Sequence, residues 1–241
     1  MAFSPGTPAL SMYEADMTSL SSDFLTRRIA TAVGVALIGD KAIVLDARHD
    51  RYTMWNGSCA SALRDLRSGN PCPVRLDDCR KLEKHGLVTS ETHNAGPWLT
   101  ARDIRTPTNS ALEGPEAGRV RPAYLLMSVW NCIRARMALR FATLHQVLID
   151  LPTASRGRTT GDLVTHARAF DRARRFAPIR PRCLPDALAY AHMARREGFA
   201  VDLVFGVKLH PFEAHCWVQS GGLVLTDPLD KVRRFEVVLA L

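Results

Sequence analysis

The chain has 241 residues, of which 46% are hydrophobic, and a formal net charge of +8. This composition is typical of a folded globular protein, and the length allows one large domain or two modest ones. No stretch reaches the roughly 18 consecutive apolar residues of a membrane helix, and the N-terminus has no basic segment followed by an apolar core. We therefore expect no membrane span and no secretion signal, and we predict a cytoplasmic protein.

The six cysteines form no C-x-x-C pair and no regular framework. Free thiols of this kind are typical of a reducing compartment. Cys72, Cys79 and His85 come nearest to a set of metal ligands, but their spacing matches no zinc pattern. We predict neither a metal nor a cofactor.

Positive charge is concentrated between residues 118 and 182, a segment that contains thirteen arginines, three acidic residues and no lysine. Such a region can attract an acidic peptide, a phosphate-bearing ligand, nucleic acid or an anionic surface. It can equally be a solvated helix face, since arginine is a good helix former. No aromatic residues interleave with these arginines as a base-stacking platform requires, which disfavours nucleic acid. The role of this region stays open.

Residues 1–28 show little periodicity and predict a loosely ordered lead-in. Three β-rich runs follow, at residues 32–39, 41–48 and 51–56, and predict a three-stranded meander. Two short helices are expected at about 58–66 and 76–85, closed by the run LVTS. The order and size of these elements predict a winged-helix-like module over residues 29–92.

A winged helix can bind DNA or a peptide, and charge favours the peptide. Basic residues on or before the second helix alternate with acidic ones that cancel most of their field: Arg75, Arg80, Lys81 and Lys84 against Asp77, Asp78 and Glu83. An extended peptide can instead add to the edge of the meander, with its side chains in the cleft beside that helix. The predicted peptide contacts are Arg51, Tyr52, Thr53, Met54, Trp55, Leu76, Cys79 and Arg80.

Residues 93–119 are rich in Pro, Gly, Asn and Thr and predict a linker that lets the first module move. A long helical pattern begins near Tyr124, and a second helix is expected over residues 163–176. Strand-like runs follow at 199–209, 214–219 and 223–227, with a last one at the C-terminus. Residues 120–241 are therefore predicted to form a second domain, and the fold class is α+β.

Cys183 stands at the start of a further helical pattern that Gly198 ends. Leu184, Ala187 and Leu188 have helical spacing, and Pro185 with Asp186 suits a first turn. The unpaired amides and the dipole at a helix start favour negative charge, so the thiolate forms more easily than the free-thiol pKa of roughly 8.5 allows. This placement favours a nucleophilic cysteine.

His215 lies in a strand-like run and Asp227 ends the next one. If Ser220-Gly221-Gly222 is a three-residue hairpin loop, Gln219 pairs with Leu223 and His215 stands opposite Asp227. The two side chains would then share a face at about 5 Å, close enough for the carboxylate to orient the imidazole. A two-residue loop would put them on opposite faces, and Asp230 would then inherit the role.

Three segments of this region closely resemble a known family. CLPDALAYAHMARREGFAVDLVFGV, HPFEAHCWVQ and GGLVLTD are similar to the transglutaminase-like leader peptidase of lasso peptide biosynthesis, the B protein. The resemblance implies a papain-like cysteine protease domain with Cys183, His215 and Asp227 as the catalytic triad. Residues 29–92 resemble, by pattern alone, the peptide-recognition domain that such systems carry fused or as a separate chain.

The resemblance implies removal of the leader from a ribosomally made precursor by thioester chemistry. It also implies a partner, an ATP-dependent asparagine-synthetase-like cyclase, while no nucleic acid or membrane is expected. Two other hypotheses stay open: a transglutaminase or acyltransferase with an amine acceptor, and a non-catalytic peptide- or DNA-binding protein. The substrate sequence, the junction and the oxyanion-hole side chain are not written in the sequence.

Overall fold

The computed structural model describes residues 27–68, 76–89, 98, 103–114, 121–153 and 162–241. Residues 1–26 of the predicted lead-in lie outside the described residues, as do Cys72, Arg75 and most of the predicted linker. Of Leu76 only the backbone is described. Within the described ranges no helix has the length and apolar character needed to cross a membrane.

The N-terminal part contains the predicted meander and both predicted helices. Its elements are β1 (Arg28–Ile29), β2 (Val33–Ile38), β3 (Lys41–Asp46), β4 (Arg51–Trp55), α1 (Gly57–Ser68), α2 (Leu76–Lys84) and β5 (Val88–Thr89). Strands β2, β3 and β4 form an antiparallel sheet in that order, and β1 pairs with β5. Among the described residues β4 has β3 as its one neighbouring strand, so it is an edge strand of this sheet.

The C-terminal part combines helices with a five-stranded sheet, so the described part of the chain is of mixed α and β structure, as predicted. Its elements are β6 (Asn109–Ser110), α3 (Pro122–Phe141), α4 (Leu144–Ile149), α5 (Leu163–Arg175), α6 (Cys183–Arg196), β7 (Asp202–Lys208), β8 (Glu213–Ser220), β9 (Leu223–Val224), α7 (Leu229–Val232) and β10 (Glu236–Ala240). The strand order is β10-β7-β8-β9-β6. Strand β6 lies inside the segment predicted as a linker and pairs with β9 in parallel.

The helical pattern that begins near Tyr124 forms two helices instead of one. Helix α3 ends at Phe141, and Thr143 caps α4: its Oγ1 accepts from the N–H of Gln146 at 3.3 Å. The Gln146 side chain in turn accepts from the Thr143 N–H at 3.0 Å. This reciprocal capping box satisfies two backbone N–H groups at the start of α4. It explains why the helix is interrupted here although the apolar pattern of the sequence continues.

The meander is buried on both faces. Val35 and Val44 face a core formed with α1 and α2, whereas Ile43 and Leu45 join the core of the C-terminal part. Gly34 lets the two parts approach, because a Cβ there would lie 2.2 Å from the carbonyl oxygen of Val238 in β10. The expectation of a recognition module that moves on a linker does not fit this shared core.

Helices α3, α5 and α6 cover one face of the five-stranded sheet, where Tyr190 packs with Leu203 and Phe205. The other face carries a second core that includes Trp217 and Phe235. Gly206 in β7 makes room for both rings, since a Cβ there would meet Trp217 at 2.6 Å and Phe235 at 2.9 Å. These rings frame the position of His215, the partner of Gly206 in the strand register.

Candidate active site

Cys183 is the first residue of α6 and is exposed, which confirms the predicted helix start. Asp186 strengthens this start, because its Oδ2 accepts from the N–H of Arg182 at 3.0 Å. Its Oδ1 forms an ion pair of 2.9 Å with Nε of Arg174 from α5. The position of the thiol is therefore fixed by a helix end that is tied to a second helix.

The surroundings of Cys183 favour its thiolate. A hydrogen bond with His215 lowers the pKa of the thiol, and burial opposes this shift only in part. Backbone N–H groups of Cys216 and Leu184 also donate to the sulfur and lower its pKa further. These donors act on the charged form, so the thiol gains nucleophilic character near neutral pH.

His215 in β8 is buried, and its Nε2 lies 3.0 Å from Oδ1 of Asp227. This leaves Nδ1 as the ring nitrogen that faces Cys183. Burial works against the imidazolium, but the hydrogen bonds with Asp227 and Cys183 raise the pKa of His215 to about 9. The contact between the two side chains thus favours the thiolate and the imidazolium together.

The predicted three-residue hairpin loop is wrong. Ser220 pairs with Leu223 and Gln219 with Val224, so the loop contains only Gly221 and Gly222. A regular strand in this register would point Asp227 away from His215. Strand β9 instead ends at Val224 and the chain bends over residues 225–227, where the Thr226 hydroxyl accepts the N–H of Val218 at 3.0 Å. The bend turns the carboxylate to the imidazole.

Asp227 is held by several groups besides His215. Lys231 Nζ lies 2.7 Å from Oδ1 and the Thr226 hydroxyl donates to Oδ2 at 3.1 Å. Ser110 from β6 donates to the Asp227 carbonyl at 2.8 Å. Burial raises the pKa of Asp227, but its partners outweigh this effect and the pKa is lowered. Asp230, the alternative carboxylate, is exposed in α7, and it is Asp227 that bonds to His215.

Sequence reasoning missed Lys231 and Arg174. Both reach the site from elements whose position depends on tertiary packing, so no local motif identified them. The spacing of Asp227 and Lys231, four residues apart across the start of α7, was the one available signal. Cys216, which follows His215 in β8, is buried in the core.

Two openings meet at Cys183. The first is a cleft of about 350 Å³ that contains His215, Asp227 and Lys231 together with Asp171 and Arg175. The second has a volume of about 720 Å³ and lies between α3 and the start of α6. A substrate can therefore extend in two directions from the sulfur.

The predicted peptide contacts of β4 lie at a sheet edge that no other described strand covers. Tyr52 packs on Phe212 with 5.7 Å between ring centroids, and Trp55 packs on His85 at 5.1 Å. Arg51, Met54 and Arg80 are exposed, and Thr53 is half-buried. Cys79 is 3% exposed and offers no surface to a peptide in this structure. The side chain of Leu76 lies outside the described residues.

The remaining polar candidates do not converge. His210 has a left-handed φ of 64° in the turn after β7 and is exposed. Within the described ranges, no three His, Cys, Asp or Glu side chains come together in a way that would hold a metal ion.

Residues 127–240 match the model of a family described as the transglutaminase-like superfamily. Neither a search of curated proteins nor a search of solved structures found a match. The C-terminal part of the chain thus contains a transglutaminase-like domain, which indicates activity of the cysteine-protease or acyltransferase type. The match spans every element that carries Cys183, His215 and Asp227.

Proposed function

We propose that this protein is a leader peptidase of the lasso type, which cleaves a ribosomally made precursor peptide with Cys183, His215 and Asp227 as its catalytic residues. One observation carries the proposal: His215 hydrogen bonds on one side to an exposed thiol and on the other to a buried carboxylate. A histidine with a purely structural role would not require an exposed thiol at a helix start as its second hydrogen-bond partner.

The first half-reaction forms a thioester. The Cys183 thiolate attacks the carbonyl carbon at the leader–core junction, and the oxyanion that develops can accept from the backbone N–H of Cys183, which has no helical partner at this position. The imidazolium of His215 then protonates the departing amine as the C–N bond breaks. The core peptide leaves with a free N-terminus.

The second half-reaction releases the leader. His215, now neutral, takes a proton from water, which attacks the thioester and regenerates the thiolate. Asp227 keeps the Nε2 of His215 protonated, so Nδ1 is the atom that exchanges protons with sulfur, amine and water. Lys231 holds Asp227 in its charged form throughout the cycle.

Strand β4 supplies a recognition surface for the leader in this proposal. Its outer edge can accept an added strand, and main-chain hydrogen bonds of that kind depend little on sequence. A pocket of about 370 Å³ joins β4 to the turn at residues 209–212 through Tyr52, Met54 and Phe212. A leader bound there lies beside the hairpin that carries His215, so the recognition surface and the cleavage site are close to each other.

On the basis of the resemblance to lasso B proteins, the proposal also includes a partner enzyme and a cellular compartment. The freed core amine is the group that a separate ATP-dependent, asparagine-synthetase-like cyclase would join to an acidic side chain. We place the reaction in the cytoplasm, where precursor peptides are made and where the free cysteines of this chain remain reduced.

The decisive experiment uses the precursor peptide encoded by a short reading frame beside the gene. We expect the full chain to release the bare core, seen by its mass, and we expect Cys183→Ala to bind the precursor without cleaving it. Cys59→Ala, which changes another thiol far along the chain, is the control and should cleave normally. Cleavage by Cys183→Ala would overturn the assignment.

Acyl transfer is the second candidate, favoured by the transglutaminase-like domain and by the two openings at Cys183, which leave room for an amine acceptor. The thioester would be the same and only the acceptor would differ. Adding glycine ethyl ester to the cleavage reaction distinguishes the two. A leader that ends in a carboxylate indicates hydrolysis, whereas a leader joined to the added amine indicates transfer.

A further inference from the structure

The opening between α3 and the start of α6 differs in charge from the rest of the site. We call it the arginine cleft, defined by Arg136, Met137, Leu139, Arg140, Arg182, Cys183, Leu184 and Pro185. Its lining carries three arginines and no carboxylate. Arg136 and Arg140 stand one turn apart on α3, so their side chains share a face of that helix. The arginines and the Cys183 sulfur border one continuous space.

Apart from Arg182, which borders both openings, the Arg and Lys side chains in the opening on the other side of Cys183 each pair with a carboxylate. There Arg174 pairs with Asp186 at 2.9 Å, Arg175 with Asp171 at 2.8 Å and Lys231 with Asp227 at 2.7 Å. No arginine of the arginine cleft pairs with a carboxylate in the described ranges of the chain. The uncompensated positive charge near the nucleophile therefore lies on the arginine cleft side.

Arg136 borders the arginine cleft and has a buried N–H group that no described residue accepts. One of its terminal nitrogens donates to the carbonyl of Arg180, which ties α3 to the loop before α6. Its Nε is buried and has no hydrogen-bond partner among the described residues. A buried guanidinium N–H without an acceptor is costly, and a carboxylate is the acceptor that matches its planar geometry.

We propose that the arginine cleft is a specificity subsite that binds an acidic side chain of the peptide substrate close to the scissile bond. The inference rests on the proposed peptide-cleaving role of Cys183 and adds the chemistry of the substrate. A glutamate or aspartate there forms charge-assisted hydrogen bonds with Arg140 or Arg182, while Met137, Leu139 and Leu184 contact its neighbours. The subsite thus selects a segment that is acidic and partly apolar.

The subsite can be tested without knowing the precursor, by comparing two alkylating reagents at Cys183. Iodoacetate is anionic and iodoacetamide is its neutral analogue, so the ratio of their rates reports charge near the sulfur. We expect Arg140→Gln and Arg182→Gln each to lower the iodoacetate-to-iodoacetamide ratio about threefold at low salt, because each removes a positive charge several ångströms from the thiolate. The rates are read by mass spectrometry of the Cys183 peptide.

Arg134→Gln is the matched control, because Arg134 is an exposed arginine of α3 outside the cleft lining. It should leave the ratio unchanged, and Arg140→Lys should keep it, since a point charge is enough to attract the reagent. Added salt should weaken the effect of Arg140→Gln. Equal ratios in the unmodified chain, Arg140→Gln and Arg182→Gln would overturn the proposal.

A second measurement tests peptide binding directly. Acetylated tetra-glutamate amide should slow iodoacetamide alkylation of Cys183, and acetylated tetra-glutamine amide should slow it at least about threefold less at equal concentration. Equal protection by both peptides would contradict an acidic subsite. These readouts need no turnover, so a failure of the proposed function, seen as cleavage by Cys183→Ala, is distinguishable from a failure of the subsite.

Discussion

The two sheets of this molecule present polar groups for different tasks. Next to the five-stranded sheet, His215 and Asp227 form a buried pair beside an exposed thiol, whereas the three-stranded sheet packs apolar side chains on both faces and its buried Asp46, at the end of β3, pairs with Arg48 and His49. Among the described residues, the smaller sheet also presents the main-chain edge of β4. Acid–base chemistry needs charges in fixed positions away from water, while recognition of an extended peptide needs backbone groups that water can reach until the peptide arrives.

His215→Ala should have the largest effect, because it removes the group that makes the larger sheet reactive. An unpaired thiol with a pKa near 8.5 is about 1% ionised at pH 6.5, so we expect alkylation of Cys183 by iodoacetamide to slow at that pH, by up to about 100-fold. His210→Ala, a histidine in the exposed turn after β7, is the control and should react normally. An unchanged rate in His215→Ala would show that the helix start alone ionises the thiol.

Gly34→Ala tests whether the two sheets are one folding unit. A Cβ at Gly34 would collide with the main chain of Val238, so we expect a loss of about 2 kcal/mol in the free energy of unfolding, measured with urea. Gly39→Ala is the control: its φ is +61° but no atom lies within 4 Å of the added Cβ, so we expect about 1 kcal/mol. Two separate unfolding transitions would show that the sheets are independent.

Asp227→Asn should move the pH profile of the site. Burial lowers the pKa of His215 and the Asp227 carboxylate raises it, to a net value of about 9. The rate of Cys183 alkylation plotted against pH changes where His215 loses its proton, and we call this pH the upper edge of the profile. The carboxylate favours the protonated ring, so its removal shifts the upper edge downward, by about one pH unit or more. An unmoved edge would show that Asp227 only positions the ring. The thiolate–imidazolium plateau lies below that edge and above the lowered pKa of Cys183.

Lys231→Met should give the smallest shift, in the opposite direction. The positive charge of Lys231 lowers the pKa of His215, so its removal raises the upper edge. Lys231 is half exposed, and ion pairs of that kind contribute about 1 kcal/mol or less, so the shift should stay below about 0.7 pH unit. The same alkylation profile provides the measurement. A downward shift would contradict the placement of Lys231 at the carboxylate.

Local patterns predicted most of the fold. The β-branched runs around Val35 and Val44 and the apolar spacing after Cys183 indicated strands and a helix where the structure has them. Strand β6 was not predicted, because a two-residue strand is defined by its neighbour β9 and not by its own sequence. The end of α3 at Phe141 was missed because the capping box of Thr143 competes with a continuous apolar pattern.

The candidate site was predicted in its residues and missed in part of its geometry. Cys183 could be placed because a helix start is a local property. The contact of His215 with Asp227 could not be derived from loop length, since it depends on the bend after Val224 and on the Thr226 hydroxyl. The charge balance of the two openings depends on which arginines form ion pairs with carboxylates. These pairs are set by packing among α3, α5 and α6 and not by local sequence.

The shared core of the meander has a practical consequence for protein production. A fragment of residues 29–92 would expose the face that Ala36, Ile43 and Leu45 bury against the C-terminal part, and an apolar sheet face in water invites aggregation. Leader binding is therefore better measured on the full chain carrying Cys183→Ala. Designs that exchange the meander for that of another peptidase need to carry the matching surface of β10 with it.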